Sequence, residues 1–188
     1  MKERKYKEDY GFSTTIDHRG REKRRAVYRG DWYSYQGGAQ AGNSAVTSSL
    51  VLLVICSAFF LIYMKCNSPS SRCMYVMPIA ACALAPLAYW GMGIFAMWRA
   101  PEKMTRLQRE NGAGRVLHSS VGCAVLLGMA CVGDLFFMIL TLKARFQEEL
   151  LAFAMLLCAA MCAMGCFLRM REVYSKMAVE ATEGTSES

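Results

Sequence analysis

The stretch AVTSSLVLLVICSAFFLIYM, residues 45–64, contains no charged side chain. A helix needs about 20 apolar residues, each rising about 1.5 Å, to cross a hydrocarbon layer of ~30 Å. The stretch has neither the polar face of a helix in a soluble bundle nor the alternation of an outer-membrane strand. It therefore predicts a helix that crosses a membrane.

Further apolar runs of similar length follow, and the charged residues collect between these runs and at the two ends of the chain. The sequence therefore predicts an all-α membrane protein with four transmembrane helices in a small bundle. The predicted helices cover approximately 45–64, 74–98, 117–142 and 148–169. They form a transmembrane domain, 45–169, between an N-terminal tail, 1–44, and a short polar C-terminal tail, 170–188.

Lys and Arg residues are distributed unevenly among the predicted loops. The N-terminal tail, the loop 99–116 and residues 169–188 carry 10, 5 and 3 of them, 18 in all, whereas the two other loops carry 4. Positively charged loops stay on the cytoplasmic side of a membrane, so both termini are expected on one basic side, in the cytosol or the mitochondrial matrix. The net charge of +7 then follows from topology, and no nucleic-acid partner is expected.

The acidic residues of the N-terminal tail bear on location. Six of them fall within the first 31 residues, which argues against a mitochondrial presequence because such sequences are poor in acidic residues. We therefore expect an intracellular endomembrane, the endoplasmic reticulum or a related membrane, with the mitochondrial inner membrane as the alternative.

Between residues 21 and 38, basic side chains of the N-terminal tail are followed by aromatic ones. This mixture suits a membrane interface, where cations meet anionic lipid headgroups and aromatic rings lie at headgroup level. We interpret the segment as an interfacial anchor, with docking onto a partner as the alternative. Its candidate residues are Arg24, Arg25, Tyr28, Arg29, Trp32, Tyr33 and Tyr35.

Two connecting segments have local signatures of their own. GGAQAGNS, residues 37–44, predicts a flexible hinge before the first helix. APEKMTRLQRENG, residues 100–112, predicts a short helix that starts near Pro101 and stops at Asn111-Gly112.

Small residues and one proline characterise the predicted transmembrane helices. Pro86 is expected to kink the second helix, because proline lacks an N–H and crowds the carbonyl one turn earlier. Helices in lipid associate through small residues, which allow close packing. The candidate packing residues are Ala124 and Gly128 in the third helix, and Cys158, Ala159, Cys162, Ala163 and Cys166 in the fourth.

Asp134 is the one carboxylate inside the apolar run of the third helix. A charge near the centre of a bilayer costs roughly 2.5–3.5 kcal/mol, so such a residue normally faces the bundle and has a partner. We expect a hydrogen bond or ion pair that fixes helix registry, with Lys65 as the partner and Arg72 or Lys143 as other reachable cations. A proton or ion relay is the alternative.

Cysteines offer one candidate cross-link. Cys66 and Cys73 bracket the short loop CNSPSSRC on the less basic side, where a disulfide would be compatible with an oxidising compartment. No phosphate loop, histidine-rich cluster or catalytic triad pattern is present in the sequence, so we expect no catalytic residue, cofactor or metal site.

These features favour a non-enzymatic multi-pass membrane protein that is an accessory, structural or assembly subunit of a larger complex. The expected partners are the bilayer, other membrane subunits and, through the basic tail, anionic lipid headgroups. The alternative is a small oligomeric channel or transporter that uses Asp134. A membrane enzyme acting on lipid would need polar groups at one interface, and His118 with its serine neighbours is the only candidate group.

Overall fold

The computed structural model describes residues 9–16, 22–66, 68–70, 73–74, 76–140 and 146–180. The helices are α1 (Gly38–Lys65), α2 (Met77–Cys82), α3 (Leu84–Trp98), α4 (Arg106–Arg109), α5 (Arg115–Leu140) and α6 (Phe146–Ser175), with a π-helical turn (Glu110–Gly114) joining α4 to α5. The strands are β1 (Tyr10–Ile16), β2 (Glu22–Tyr28), β3 (Trp32–Ser34) and β4 (Ala178–Glu180).

Within the described residues, four helical units are long and apolar enough to cross a membrane: α1, α2 with α3, α4 with α5, and α6. Large apolar side chains cover their outer surfaces, among them Leu61, Val132 and Leu140, which are all exposed. A soluble protein would rarely expose so much apolar surface, whereas lipid solvates it without cost. The prediction of four apolar helices is confirmed, and the fold is consistent with an integral membrane protein.

The bundle is held together mainly by α6, which packs against both α1 and α5, while α3 packs mainly against α5. The buried residues of α6 are spaced alternately four and three apart: Ala152, Leu156, Ala159, Ala163, Cys166 and Met170. This spacing is that of helices crossing at a small left-handed angle. Two contacts of α1 belong to this seam, since Cys56 Sγ donates to Ala159 O at 3.4 Å and Ser49 Oγ donates to Met170 Sδ at 3.3 Å.

The seam includes some of the predicted packing residues and leaves others at its edge. Ala159, Ala163 and Cys166 are fully buried, but Cys158 and Cys162 are only half-buried. A stripe at strict four-residue spacing drifts away from a seam whose mean period is 3.5 residues. Cys162 still packs against the buried core from the edge of the seam, as predicted, whereas Cys158 is half-buried outside that core.

In α5, only one member of the predicted small-residue pair lies in close contact. Ala124 is buried, whereas a Cβ added to Gly128 would meet no atom within 4 Å. The expectation that Gly128 permits close helix packing is therefore wrong.

The close approach occurs instead at Gly93 of α3. A Cβ there would lie 2.8 Å from Val116 Cγ2, 3.0 Å from Val116 N and 3.3 Å from Gly112 O. Gly112 belongs to the π-helical turn, and a Cβ on it would lie 3.0 Å from Met97 Cγ. Two glycines thus allow the backbone of α3 to cross the start of α5.

A helix does form in the central loop, but it begins at Arg106 and not near Pro101, and it does not stop at Asn111-Gly112. Thr105 is its N-cap, because its hydroxyl accepts from Gln108 N–H while Gln108 Oε1 accepts from Thr105 N–H, a capping box. The chain then continues through the π-helical turn directly into α5. Asn111-Gly112 would normally end a helix, but Gly112 packs against α3 and the chain stays helical there.

The helix break in the second unit lies one turn before Pro86. Helix α2 ends at Cys82, the residue whose carbonyl the proline cannot bond, and Ala83 separates it from α3. Ala83 N–H donates to Ala80 O at 3.1 Å, so the last turn of α2 is tightened. The predicted kink is present, and its position follows from the missing N–H.

The segment 37–44, predicted to be a hinge, is the first turns of α1. Gly37 and Gly38 have positive φ angles of 99° and 69°, which turn the chain into the helix. Gly42 is buried where a Cβ would lie 2.8 Å from Tyr35 Cδ2. Gly37 and Gly38 therefore allow a sharp turn into the helix, and Gly42 allows close contact with the ring of Tyr35. The prediction of a flexible hinge, which was based on glycine content, is wrong.

The tails contain strands that an all-α prediction did not include. Strands β1 and β2 form an antiparallel hairpin with Tyr10 opposite Tyr28, and β3 pairs antiparallel with β4, Tyr33 opposite Val179. The segments before α1 and after α6 are thereby joined.

Candidate functional site

The tails and the central loop pack together into one unit, which we call the terminal platform (residues 28–35, 103–110 and 174–180). Its centre is a backbone pairing between Tyr33 and Met104, in which each N–H donates to the other's carbonyl, at 2.9 and 2.8 Å. Lys103 Nζ adds an ion pair with Glu180 Oε2 at 2.6 Å. Three segments distant in sequence therefore fold as one body.

Arg109 joins these segments through aromatic contacts. Its guanidinium carbon lies 4.5 Å from the ring centroid of Tyr33 and 3.9 Å from that of Tyr174. The same group donates to Tyr174 O at 3.1 Å. Stacking between two rings uses the planar, weakly hydrated face of arginine, which lysine lacks.

Tyr28 connects the β1–β2 hairpin to the platform. Its hydroxyl donates to Asp31 O at 2.9 Å and accepts from Arg106 N–H at 3.1 Å. Its ring meets Tyr10 and Trp32 edge-on, with centroids 5.3 and 5.1 Å away. Partial burial raises the pKa of Tyr28.

The other residues predicted to anchor the N-terminal tail at the membrane lie at the start of α1 and in the hairpin. Tyr35 packs against the start of α1, and burial raises its pKa to about 12. Arg29 N–H donates to Asp9 O at 2.8 Å and closes the base of the hairpin. Arg24 and Arg25 are in β2, and their side chains lie outside the part of the chain that the structure describes. Several residues predicted to anchor at lipid thus have partners within the protein.

Beyond its base, the hairpin projects from the rest of the chain. Apart from the contacts of Tyr28, Asp9 and Arg29, its two strands pack mainly against each other. Phe12 is 77% exposed and Val27 is 43% exposed, on opposite faces of the hairpin according to the register. Each face of the hairpin thus presents an exposed apolar side chain.

A second group of residues, which we call the acidic cluster, is Tyr63, Ser70, Asp134 and Glu149. It lies where α1, α5 and α6 meet the loop after α1. Asp134 is 0% exposed, Tyr63 1% and Glu149 5%. Two carboxyl groups are therefore enclosed in an otherwise apolar bundle.

The polar atoms of the acidic cluster are only partly bonded. Ser70 N–H donates to Glu149 Oε1 at 3.2 Å, and the hydroxyls of Ser68 and Ser70 lie 3.2 Å apart. Within the described residues, neither Glu149 Oε2 nor the Tyr63 hydroxyl has a hydrogen-bond partner, and no hydrogen bond of good geometry reaches the carboxylate oxygens of Asp134, although the Ser70 side chain lies close to them. Buried polar groups are bonded in the great majority of cases, so four such atoms in one place require an explanation.

The predicted partner of Asp134 is wrong. Lys65 is exposed, and in the described part of the chain no ion pair joins it to Asp134. Its position near the end of α1 directs it outward, while Tyr63, two residues earlier, faces the interior. Arg72 and Lys143, the other cations considered, lie outside the described residues. Sequence reasoning missed Glu149 because it lies in the first turn of α6, where a charge normally reaches solvent.

The predicted disulfide is also absent. Cys66 and Cys73 are not joined by a disulfide, and Cys73 Sγ is 3.7 Å from Pro69 O. In the bundle centre, Cys56 and Cys123 lie side by side and are also not bridged. Across the residues described, no three His, Cys, Asp or Glu side chains are grouped so that they could hold a metal ion.

Comparison with protein-family models, with curated proteins and with solved structures finds no match to this chain. The class that the fold defines is a bundle of four apolar helices, consistent with an integral membrane protein.

Proposed function

We propose that this protein is a non-enzymatic accessory or assembly subunit of a larger membrane protein complex. The observation that carries the proposal is the projecting β1–β2 hairpin. A two-stranded hairpin is at best marginally stable alone in water, and its open edges are ready to pair with another chain. The hairpin therefore has the properties of a segment that a partner covers.

The chemistry of the hairpin indicates the kind of partner. Its register aligns Tyr10, Phe12 and Tyr28 on one face, and Phe12 is the most exposed of these. Strand β2 also carries Lys23, Arg24 and Arg25 in sequence. A partner subunit with an apolar pocket and an acidic rim would complement this surface.

The terminal platform supports the same proposal. Arg109, stacked between two tyrosine rings, and the backbone pairing of Tyr33 with Met104 fix the base from which the hairpin extends. A rigid base lowers the entropy that is lost when a partner binds.

The experiment is purification of tagged protein from its native membrane in mild detergent, followed by native mass measurement. Phe12→Ser is compared with Val27→Ser, which removes an exposed apolar side chain from the opposite face. We expect a stable assembly for the parent protein and for Val27→Ser, and dissociation for Phe12→Ser. A lone monomer or homo-oligomer for the parent protein would overturn the proposal. So would a Phe12→Ser variant whose assembly stays intact and whose only defect is weaker binding to vesicles of anionic lipid.

We also propose an orientation and a location. The excess of Lys and Arg in the tails and the central loop favours a cytosolic position for the terminal platform, in an endomembrane such as the endoplasmic reticulum. The matrix side of the mitochondrial inner membrane is the alternative. Protease accessibility of the hairpin in sealed vesicles of each membrane distinguishes the two.

A small oligomeric channel or transporter is the second candidate, and the enclosure of Asp134 beside Glu149 is the observation that favours it. Intramembrane carboxylates often line ion paths. Cation flux into liposomes that Asp134→Asn abolishes would support this function, and absence of flux in the parent protein would contradict it.

A further inference from the structure

A groove on the apolar surface of the bundle runs between α1 and α3. Its volume is about 690 Å³, within the usual range of about 300–1,000 Å³ for pockets that bind small molecules. Ile94 is buried at its floor, while Leu50 and Phe95 on its two sides are 46% and 48% exposed. The other large apolar residues that line it are Val46, Leu53 and Trp98. The groove is therefore an apolar space that the chain itself leaves open.

The length of this groove, which we call the α1–α3 groove, matches one leaflet of a bilayer. It extends from Asn43 and Trp98 at one end to Leu53 and Gly91 at the other. A Cβ on Gly91 would lie 3.7 Å from Leu53 Cδ2, so the two helices meet there and close the deep end. The rise along α1 from Asn43 to Leu53 is about 15 Å, half of a ~30 Å hydrocarbon layer. An acyl chain entering from the membrane surface would thus reach the closed end near the bilayer centre.

The open end of the α1–α3 groove is polar and positively charged. Arg99 follows α3 directly, and its guanidinium carbon lies 4.2 Å from the ring centroid of Phe95, which lines the groove. Among the described residues, no ion pair joins Arg99 to a carboxylate. Asn43 and Thr47, the polar lining residues, belong to the same end, and Trp98 beside them is 72% exposed, as is typical of an aromatic ring at headgroup level. The groove therefore combines an apolar interior with a cation at its entrance.

We propose that the α1–α3 groove binds one acyl chain of an anionic phospholipid and that Arg99 pairs with the headgroup of this lipid. Lipid tails are as apolar as leucine, so the groove alone does not select one lipid over another. The selection comes from Arg99, because a guanidinium bonds phosphate oxygens in a bidentate manner and attracts a net negative headgroup. No residue of this site belongs to the hairpin, so the proposal is independent of the accessory role.

The test uses the full chain, delipidated in mild detergent and titrated with phosphatidylserine or with phosphatidylcholine of identical acyl chains. Native mass spectrometry counts the lipids that stay bound. Arg99→Gln removes the charge at the entrance, and Arg171→Gln, at an exposed arginine in the last turns of α6, is its control. Leu50→Trp fills the groove, whereas Leu61→Trp places the same ring at an exposed position of α1 outside it. Both leucines are exposed, so these two variants should fold.

We expect the parent protein to retain one phosphatidylserine and to prefer it about five-fold over phosphatidylcholine, the contribution of one arginine at a membrane surface. Arg99→Gln should lose this preference and Arg171→Gln should keep it, while Leu50→Trp should lose the bound lipid and Leu61→Trp should retain it. The proposal is overturned by a parent protein that retains no phosphatidylserine, by a preference that Arg99→Gln leaves unchanged, or by lipid that stays bound in Leu50→Trp. A photoactivatable residue in place of Leu50 that cross-links to another protein chain in the native membrane, and not to lipid, also overturns it.

Discussion

Replacing Gly93 by alanine should destabilise the bundle, although alanine favours helix. The added Cβ would lie 2.8 Å from Val116 Cγ2, about 0.6 Å inside the 3.4 Å at which ordinary contact begins. The side chain of Val116 could rotate away, but its backbone nitrogen at 3.0 Å and Gly112 O at 3.3 Å cannot. Helix α3 must therefore move away from the start of α5.

The expected cost follows from two opposing contributions. Overpacking that displaces backbone costs about 2–3 kcal/mol, toward the upper end of the usual range, while the helix propensity of alanine returns about 1 kcal/mol. The net loss for Gly93→Ala is then about 1–2 kcal/mol. Gly128→Ala is the matched control, because its Cβ meets nothing within 4 Å and it should gain up to about 1 kcal/mol.

Unfolding by SDS titration in mild detergent measures both variants against the parent protein. A difference of about 2–3 kcal/mol between Gly93→Ala and Gly128→Ala is expected, from the sum of the two effects. Equal stability of the two variants, or a lower stability for Gly128→Ala, would refute the assignment of the close crossing to Gly93.

Three further predictions concern the tails and the loop after α1. Arg109→Lys should keep the charge but lose the stacking on both rings, which lowers the stability of the terminal platform by about 1–2 kcal/mol. Amide hydrogen exchange in the platform should become faster, and unchanged exchange would argue against the stacking. Tyr35 has a folded pKa of about 12 against about 10 when unfolded, so the unfolded state loses its proton first and stability should fall as pH rises from 10 to 12. Tyr35→Phe should reduce that slope in unfolding measurements at several pH values, and an identical slope would contradict the assignment. Cys66 and Cys73 should both react with maleimide without reductant and show no shift between reducing and non-reducing gels, whereas protection of both thiols until reduction would indicate the disulfide.

For the acidic cluster, the sequence predicts that Asp134 faces the bundle, but it does not predict which residues surround Asp134. That Asp134 faces the bundle follows from the energy of a charge in hydrocarbon, which forbids a lipid-facing position. Which residue meets it depends on how three helices rotate about their axes. That rotation turns Lys65 outward and Tyr63 inward, and it brings Glu149 from the start of the next helix to Asp134.

The sequence by itself determined the number of long helices. In lipid, each apolar run must satisfy its backbone hydrogen bonds within the run, and a helix does so without any other segment. The sequence also determined the proline-induced break, since a missing N–H is a local property. Only the tertiary structure decided which glycine forms a helix crossing, with Gly93 in contact and Gly128 free. It likewise decided that the tails pair with each other and with the central loop, because backbone pairing between Tyr33, Met104 and β4 depends on segments far apart in the chain. Contacts of this kind carry no periodic signal that a single sequence can show.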